Sequence, residues 1–202
     1  MYHATGKPLQ KPSKVLLVHD FNGRHITNVF ELTESLAQEQ VSAELALMNQ
    51  LSFSSRVDLA ASAAMFVSLH SEEVANIVFL QENTTVFEVF PYGYISTTYK
   101  AVAERCGLNY VNWQSGERSY SKFYPDVLNK YGIYGEDRDR IVNANGLEDV
   151  KENVAAGKAY WENQDTKVDG DVISDIIKRE LDSLTADGVR AGGDGDATKE
   201  EL

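Results

Sequence analysis

Three places in this 202-residue chain gather side chains able to bind anions or move protons. They are His19-Asp20 followed by Arg24, His70-Ser71, and Glu88. An arginine presents a planar fork of donors that matches phosphate or carboxylate, and a histidine changes charge near neutral pH. Glu88 lies inside the apolar run Val86-Phe87-Glu88-Val89-Phe90. A carboxylate there is costly unless it faces water, meets a cation or holds a ligand hydroxyl; the solvated face of an edge strand stays open beside the other two. His70 closes another apolar run, where a satisfied structural histidine competes with a ligand-binding one. Arg24 stands near a helix start, an unfavourable place for a cation, which favours a functional role. Ser68 or Ser71 with His19 or His70 lacks the glycines of a nucleophile elbow, so hydrolysis is set aside. There is no P-loop, no GxGxxG and no histidine pair at metal-ligand spacing, so no metal site is expected.

The elements around these residues alternate. Lys14 to Asp20 reads as a strand buried on both faces, followed by a turn at Phe21-Asn22-Gly23-Arg24 and a helical pattern Ile26, Val29, Phe30, Leu32 and Leu36. Val41–Met48 reads as a second strand, Ser52–Ser62 as a helix, and Met65–Leu69 as a third strand ending at His70. Ser71–Leu80 suggests a short helix, Thr85–Phe90 a fourth strand, Tyr99–Cys106 a helix stopped by Gly107, and Leu108–Trp113 a fifth strand. Five short strands separated by helices predict an α/β fold: a Rossmann-like, mostly parallel sheet with helices on both faces. Ligands of such sheets bind beyond the carboxyl ends of the strands, where His19, Arg24, His70 and Glu88 fall.

After Trp113 the pattern weakens. Residues 114–136 show no clean period, and helical stretches follow over roughly 147–163 and 171–184. From Thr185 the chain is small, acidic and glycine-rich, the composition of a disordered tail. The expected division is therefore 14–184 for the folded lobe and 185–202 for the tail. The hydrophobic fraction is 43% and charged residues are 25%, as in ordinary globular domains. With 31 acidic against 19 basic residues the formal charge is −12, which makes nucleic acid and anionic membranes poor partners. One cysteine excludes an internal disulfide. No apolar run reaches the ~20 residues of a transmembrane helix, and Met1–Ser13 is polar, without the apolar core of a signal peptide.

Five segments in order resemble the glycosyltransferases of family sixty-one, over about Lys14 to Trp113. They are Val15–Asp20 with Arg24-His25-Ile26-Thr27-Asn28; Phe53–Leu59; Met65–Leu69 with His70–Leu80, against the family's H-G-A-G-L-T-N-x-x-F-L; Val86-Phe87-Glu88-Val89-Phe90-Pro91; and Tyr99, Ala103, Gly107, Leu108, Tyr110 and Trp113. The family includes the EGF-domain-specific O-GlcNAc transferase, O-mannose N-acetylglucosaminyltransferase relatives and plant xylan xylosyl- and arabinosyltransferases. The resemblance implies an inverting, nucleotide-sugar-dependent transferase of the GT-B type, in which two Rossmann-like lobes face a cleft and the C-terminal lobe binds the donor. It further implies a UDP-sugar as substrate, a protein or glycan acceptor, and no required cofactor, a divalent cation being compatible but not demanded. By position, Arg24 and His70 would meet the donor phosphates, with Asn28, Ser71, Asn76 and Glu88 as supporting polar groups. The catalytic base would come from an N-terminal lobe missing here.

The sequence also departs from the family. His19-Asp20 replaces its first-strand arginine, usually part of an S-R or R-S pair, and Ser71-Glu72-Glu73 replaces the glycine-rich G-A-G. Glycine lets backbone N–H groups approach a pyrophosphate, whereas Ser71 can cap its own helix and the two glutamates can satisfy its dipole. A phosphate ~6 Å from one carboxylate meets about 3 kcal/mol of repulsion at an effective dielectric of about 20. These departures leave a rival reading, a non-catalytic relative acting as a binding module. Two short motifs bear on location: the terminal Lys199-Glu200-Glu201-Leu202 is close to the K-D-E-L retrieval signal, and Asn83-Thr84-Thr85 is a glycosylation sequon. Both predict the endoplasmic reticulum lumen or the secretory pathway, although no signal peptide is apparent.

Overall fold

A computed structural model describes residues 14–21 and 23–192, with side chains through 184. Five strands form one parallel sheet: β1 (Lys14–Val18), β2 (Ala43–Ala46), β3 (Ala63–Leu69), β4 (Thr85–Phe90) and β5 (Asn109–Gln114), in the order β2-β1-β3-β4-β5. The period-two alternation of each strand splits its apolar residues between two layers. Val15, Leu17, Met65, Val67, Phe87 and Val89 pack on one face against α1 (Val29–Gln38) and α6 (Gly170–Gly192). Leu16, Val18, Phe66 and Val86 pack on the other against α2 (Phe53–Ala61), the 3₁₀ turn Glu72–Phe79 and α3 (Thr98–Arg105). All five expected strands are present, though the first two are shorter than their apolar patterns. Gly107 follows α3 with φ +67°, the left-handed conformation that ends a helix most easily without a Cβ.

A second body lies past the carboxyl ends of β4 and β5. It holds β6 (Ser121–Phe123), α4 (Gly135–Val142), α5 (Val154–Glu162) and β7 (Gln164–Thr166), with β6 and β7 paired antiparallel. Its core is aromatic, with Tyr160 and Trp161 packed against Phe90, Tyr94 and Leu128. Arg118 staples it, donating to the carbonyls of Ala144 (2.8 Å) and Val142 (2.6 Å) while its guanidinium lies 4.8 Å from the Phe123 ring centroid. Gly93, at φ +69°, lets the loop after β4 touch this core: a Cβ there would meet the Trp161 ring at 2.7 Å.

Several sequence expectations need correction. Residues 114–136 contain β6, whose three residues are too few to show a period. The stretch 147–163 is a 3₁₀ turn at Leu147–Asp149 followed by α5, and Ser71–Leu80 forms a 3₁₀ rather than an α-helix. The helix expected to stop at 184 continues to Gly192; residues 193–202, with the terminal Lys199–Leu202, lie outside the described residues. No helix among the described residues is long and apolar enough to cross a membrane.

Candidate functional site

In the strand order β2-β1-β3 the chain reverses direction between β1 and β3, which opens a crevice at their carboxyl ends. Arg24 enters that crevice from the loop after β1, and His70 from the end of β3. That loop is held from the far side: Thr166 of β7 accepts from Thr27 N (2.9 Å) and donates to the His25 carbonyl (3.0 Å).

His70 is 5% exposed and donates its backbone N–H to the Val89 carbonyl. Its Nδ1 lies 2.5 Å from Glu88 Oε1, and its ring stacks on Phe90 at 5.1 Å. Glu88 is fully buried, and its second oxygen accepts from the Tyr110 hydroxyl. The solvated edge-strand reading of Glu88 is thereby overturned, because β4 lies between β3 and β5 and the carboxylate has a cation partner. Burial and the Glu88 hydrogen bond push the Tyr110 phenol up, which keeps it a neutral donor.

On its other side the imidazole meets Glu162. Glu162 Oε1 lies 3.7 Å from His70 Nε2, an ion-pair rather than a hydrogen-bond distance, and 3.0 Å from Arg24 Nη1. Arg24 Nη2 pairs with Glu72 at 2.9 Å, and Nη1 also donates to the Glu162 carbonyl at 3.3 Å. His70 first, then Arg24, hold the Glu162 carboxyl down at about 2 against the opposing effect of its burial. Burial disfavours the His70 imidazolium, but Glu162 and Glu88 outweigh it and raise its pKa. The result is a continuous chain, Tyr110–Glu88–His70–Glu162–Arg24–Glu72, linking β5, β4, β3, α5 and the loop after β1.

The other expected site residues make local contacts. Asn28 clasps Val168, accepting from its N–H and donating to its carbonyl, both at 2.9 Å, and so ties the start of α1 to the segment before α6. Ser71 accepts from Glu73 N at 3.3 Å and caps its own turn, while Asn76 donates to the Glu73 carbonyl at 2.8 Å. Asn83 is exposed at φ +65° in the turn before β4. His19 is buried beside Phe21 and His25, and its Nε2 has no hydrogen-bond partner among the described residues. Burial first, and His25 next, lower its pKa. Below Arg24, a cavity of about 300 Å³ is lined by Phe21, His25, Tyr124, Asn163 and Asp165 among others. Among the described residues no group of three or more His, Cys, Asp or Glu side chains is arranged to hold a metal ion.

Glu162 and Asp165 escaped the sequence reading. Both fall after the aromatic pair Tyr160-Trp161, inside or just past an expected helix, and the only available signal was an acidic residue directly following a fully apolar pair.

The sequence model described as Glycosyltransferase 61 matches residues 4–87. Protein O-linked-mannose beta-1,4-N-acetylglucosaminyltransferase 2 of Homo sapiens is 30% identical over 185 residues, covering 87% of this chain and 32% of its own length. The protein of the same name from Danio rerio is 29% identical over 174 residues, covering 80% of this chain and 30% of its own. The chain thus spans about a third of the length of the curated relatives it matches. The chain is therefore similar to glycosyltransferase 61 proteins, by the sequence model over residues 4–87 and by 29–30% identity to the named transferases over most of its length.

Proposed function

We propose that this chain is the donor-nucleotide lobe of an inverting, GT-B-type glycosyltransferase. It binds a UDP-sugar and serves transfer of a sugar such as N-acetylglucosamine or a pentose to a protein or glycan acceptor. The relatives' name favours N-acetylglucosamine and an O-mannosylated protein. The observation that carries this reading is the convergence of Arg24 and His70, from two different strand ends, on one acid group at the topological switch point. An arginine fork and an imidazolium there suit a diphosphate. The acceptor's deprotonating base belongs to a second lobe, and the family's donor chemistry asks for no cofactor. Glu88 acts through His70, fixing the ring so that Nε2 faces the crevice; Asn28, Ser71 and Asn76 shape the loops around it. The terminal Lys199–Leu202 and the exposed Asn83 support a lumenal, glycosylated protein of the secretory pathway.

A second reading, a non-catalytic binding module, is favoured by one observation: Glu72 occupies part of the Arg24 fork, and Ser71 caps the turn that is glycine-rich in the family. Calorimetry with UDP and UDP-N-acetylglucosamine, with and without Mn²⁺, separates the two. The donor-lobe reading expects UDP binding that Arg24→Ala reduces tenfold or more; Mn²⁺ strengthens it if a divalent cation offsets Glu72 and Glu73. No binding under either condition favours the module, and binding indifferent to Arg24→Ala removes that residue from the site.

A further inference from the structure

We infer that Glu162 is a resident anion in a seat built for a ligand's phosphoryl group, and that the ligand binds by displacing this carboxylate. The inference rests on the donor-lobe reading and deepens it, because it assigns the site a built-in competitor.

Neither cation needs Glu162 for its own neutralisation. Arg24 already has Glu72, and His70 already has Glu88 on its other ring nitrogen. With Glu162 in place, three carboxylates face two cations, so an arriving phosphate meets a net negative cluster. With Glu162 swung out, Arg24 and protonated His70 balance Glu72 and Glu88, and one donor from each cation turns to the newcomer. Exchange thus removes the repulsion that simple addition would incur.

Of the two acids that flank His70, Glu162 is the one placed to leave; Glu72, more exposed still, pairs with Arg24 alone. Glu88 is fully buried between His70 and Tyr110, whereas the Glu162 side chain is 26% exposed. It closes α5, where the helix dipole disfavours an anion and the last turn carries no basic residue. Its carboxylate is therefore held by Arg24 and His70, not by its helix. Its backbone carbonyl accepts separately from Arg24 Nη1, so the arginine keeps an anchor on α5 after the carboxylate departs. A side-chain rotation suffices, and the β7 contacts that follow need not break.

The test uses the 202-residue chain, ¹⁵N-imidazole NMR of His70 and calorimetry with inorganic pyrophosphate and UDP. The groups facing the His70 ring are Glu88, Glu162, Tyr94 and Tyr99, with Arg24 across Glu162. Glu162→Gln should lower the His70 pKa, saturating pyrophosphate should restore it, and pyrophosphate should bind the variant at least tenfold more tightly than wild type. Glu72→Gln, which removes the exposed partner of Arg24, should leave His70 unchanged. Glu162→Ala should show the same gain and stands in if Glu162→Gln fails to fold by circular dichroism. Equal or weaker pyrophosphate binding by the variants overturns the inference and makes Glu162 a structural or ligand-contacting residue. Tighter pyrophosphate binding without UDP binding keeps the exchange and removes the nucleotide donor. UDP binding that depends on Arg24 but is indifferent to Glu162 keeps the donor lobe and removes the exchange.

Discussion

The sheet from β1 to β5 and the body from β6 to β7 meet at one site but are held together by different means. The sheet is built from aliphatic strands in register, with cores on both faces and its polar backbone groups paired strand to strand. The body has short strands, an aromatic cluster, and one arginine that satisfies helix-end carbonyls. The sheet presents the cations Arg24 and His70; the body presents the acid Glu162. A regular framework can aim side chains from its strand ends by repetition alone, while a compact aromatic body brings one group to a place that its own sequence does not announce. The two tryptophans report on them separately, Trp113 in β5 and Trp161 in the body.

The contrast breaks most visibly at Trp161. Trp161→Ala should cost about 3–5 kcal/mol, because the cavity it leaves also removes the ring beneath Arg118. Urea unfolding followed by Trp113 fluorescence and by circular dichroism should then separate into two transitions; in wild type they should coincide, since Phe90 of β4 is part of the aromatic core and Tyr94 of that core packs on His70. Coincident transitions in the variant would mean that the body is only an extension of the sheet.

Glu88→Gln sharpens the comparison from the sheet side. It keeps the shape but weakens the bonds to His70 and Tyr110, and should lower stability by about 2 kcal/mol, a typical cost for a compromised buried polar group. The same substitution should lower the His70 pKa in an NMR titration. Arg118→Lys should cost about 1 kcal/mol in denaturant midpoint, because a lysine cannot serve two carbonyls in one plane. Its effect should appear in Trp161 fluorescence before it appears at Trp113.

The smallest effect is a pH window. His70 is raised above its ordinary value of 6.5, so its contribution is fully present below that pH and is lost as pH rises through the folded value. Glu162 is lowered from 4.5 to about 2, so its contribution is present above 4.5 and is lost as pH falls toward 2. The pair should stabilise most between pH 4.5 and 6.5. Denaturant midpoints across pH 3–9 should show Glu162→Gln flattening the acid limb and His70→Gln the alkaline one. An unchanged acid limb in Glu162→Gln would show that the carboxylate is not held as its contacts indicate.

The sheet was legible in the chain because short, nearly continuous aliphatic runs bounded by turns leave few alternatives, and a parallel order follows from the helices between them. Arg24, His70 and Glu88 could be named for the same reason: a polar residue stands out at the end of, or inside, an apolar run. What the sequence could not show was which partner each would have. The burial of Glu88 depends on β5 covering β4, and its pairing with His70 depends on β3 and β4 lying side by side. Glu162 reaches Arg24 across 138 positions of chain, and Asn28 reaches Val168 across 140. Local pattern determines which elements form and which side chains are anomalous. Only the packing of one element on another decides which charges meet, because Coulomb and hydrogen-bond energies depend on distances that sequence separation does not encode.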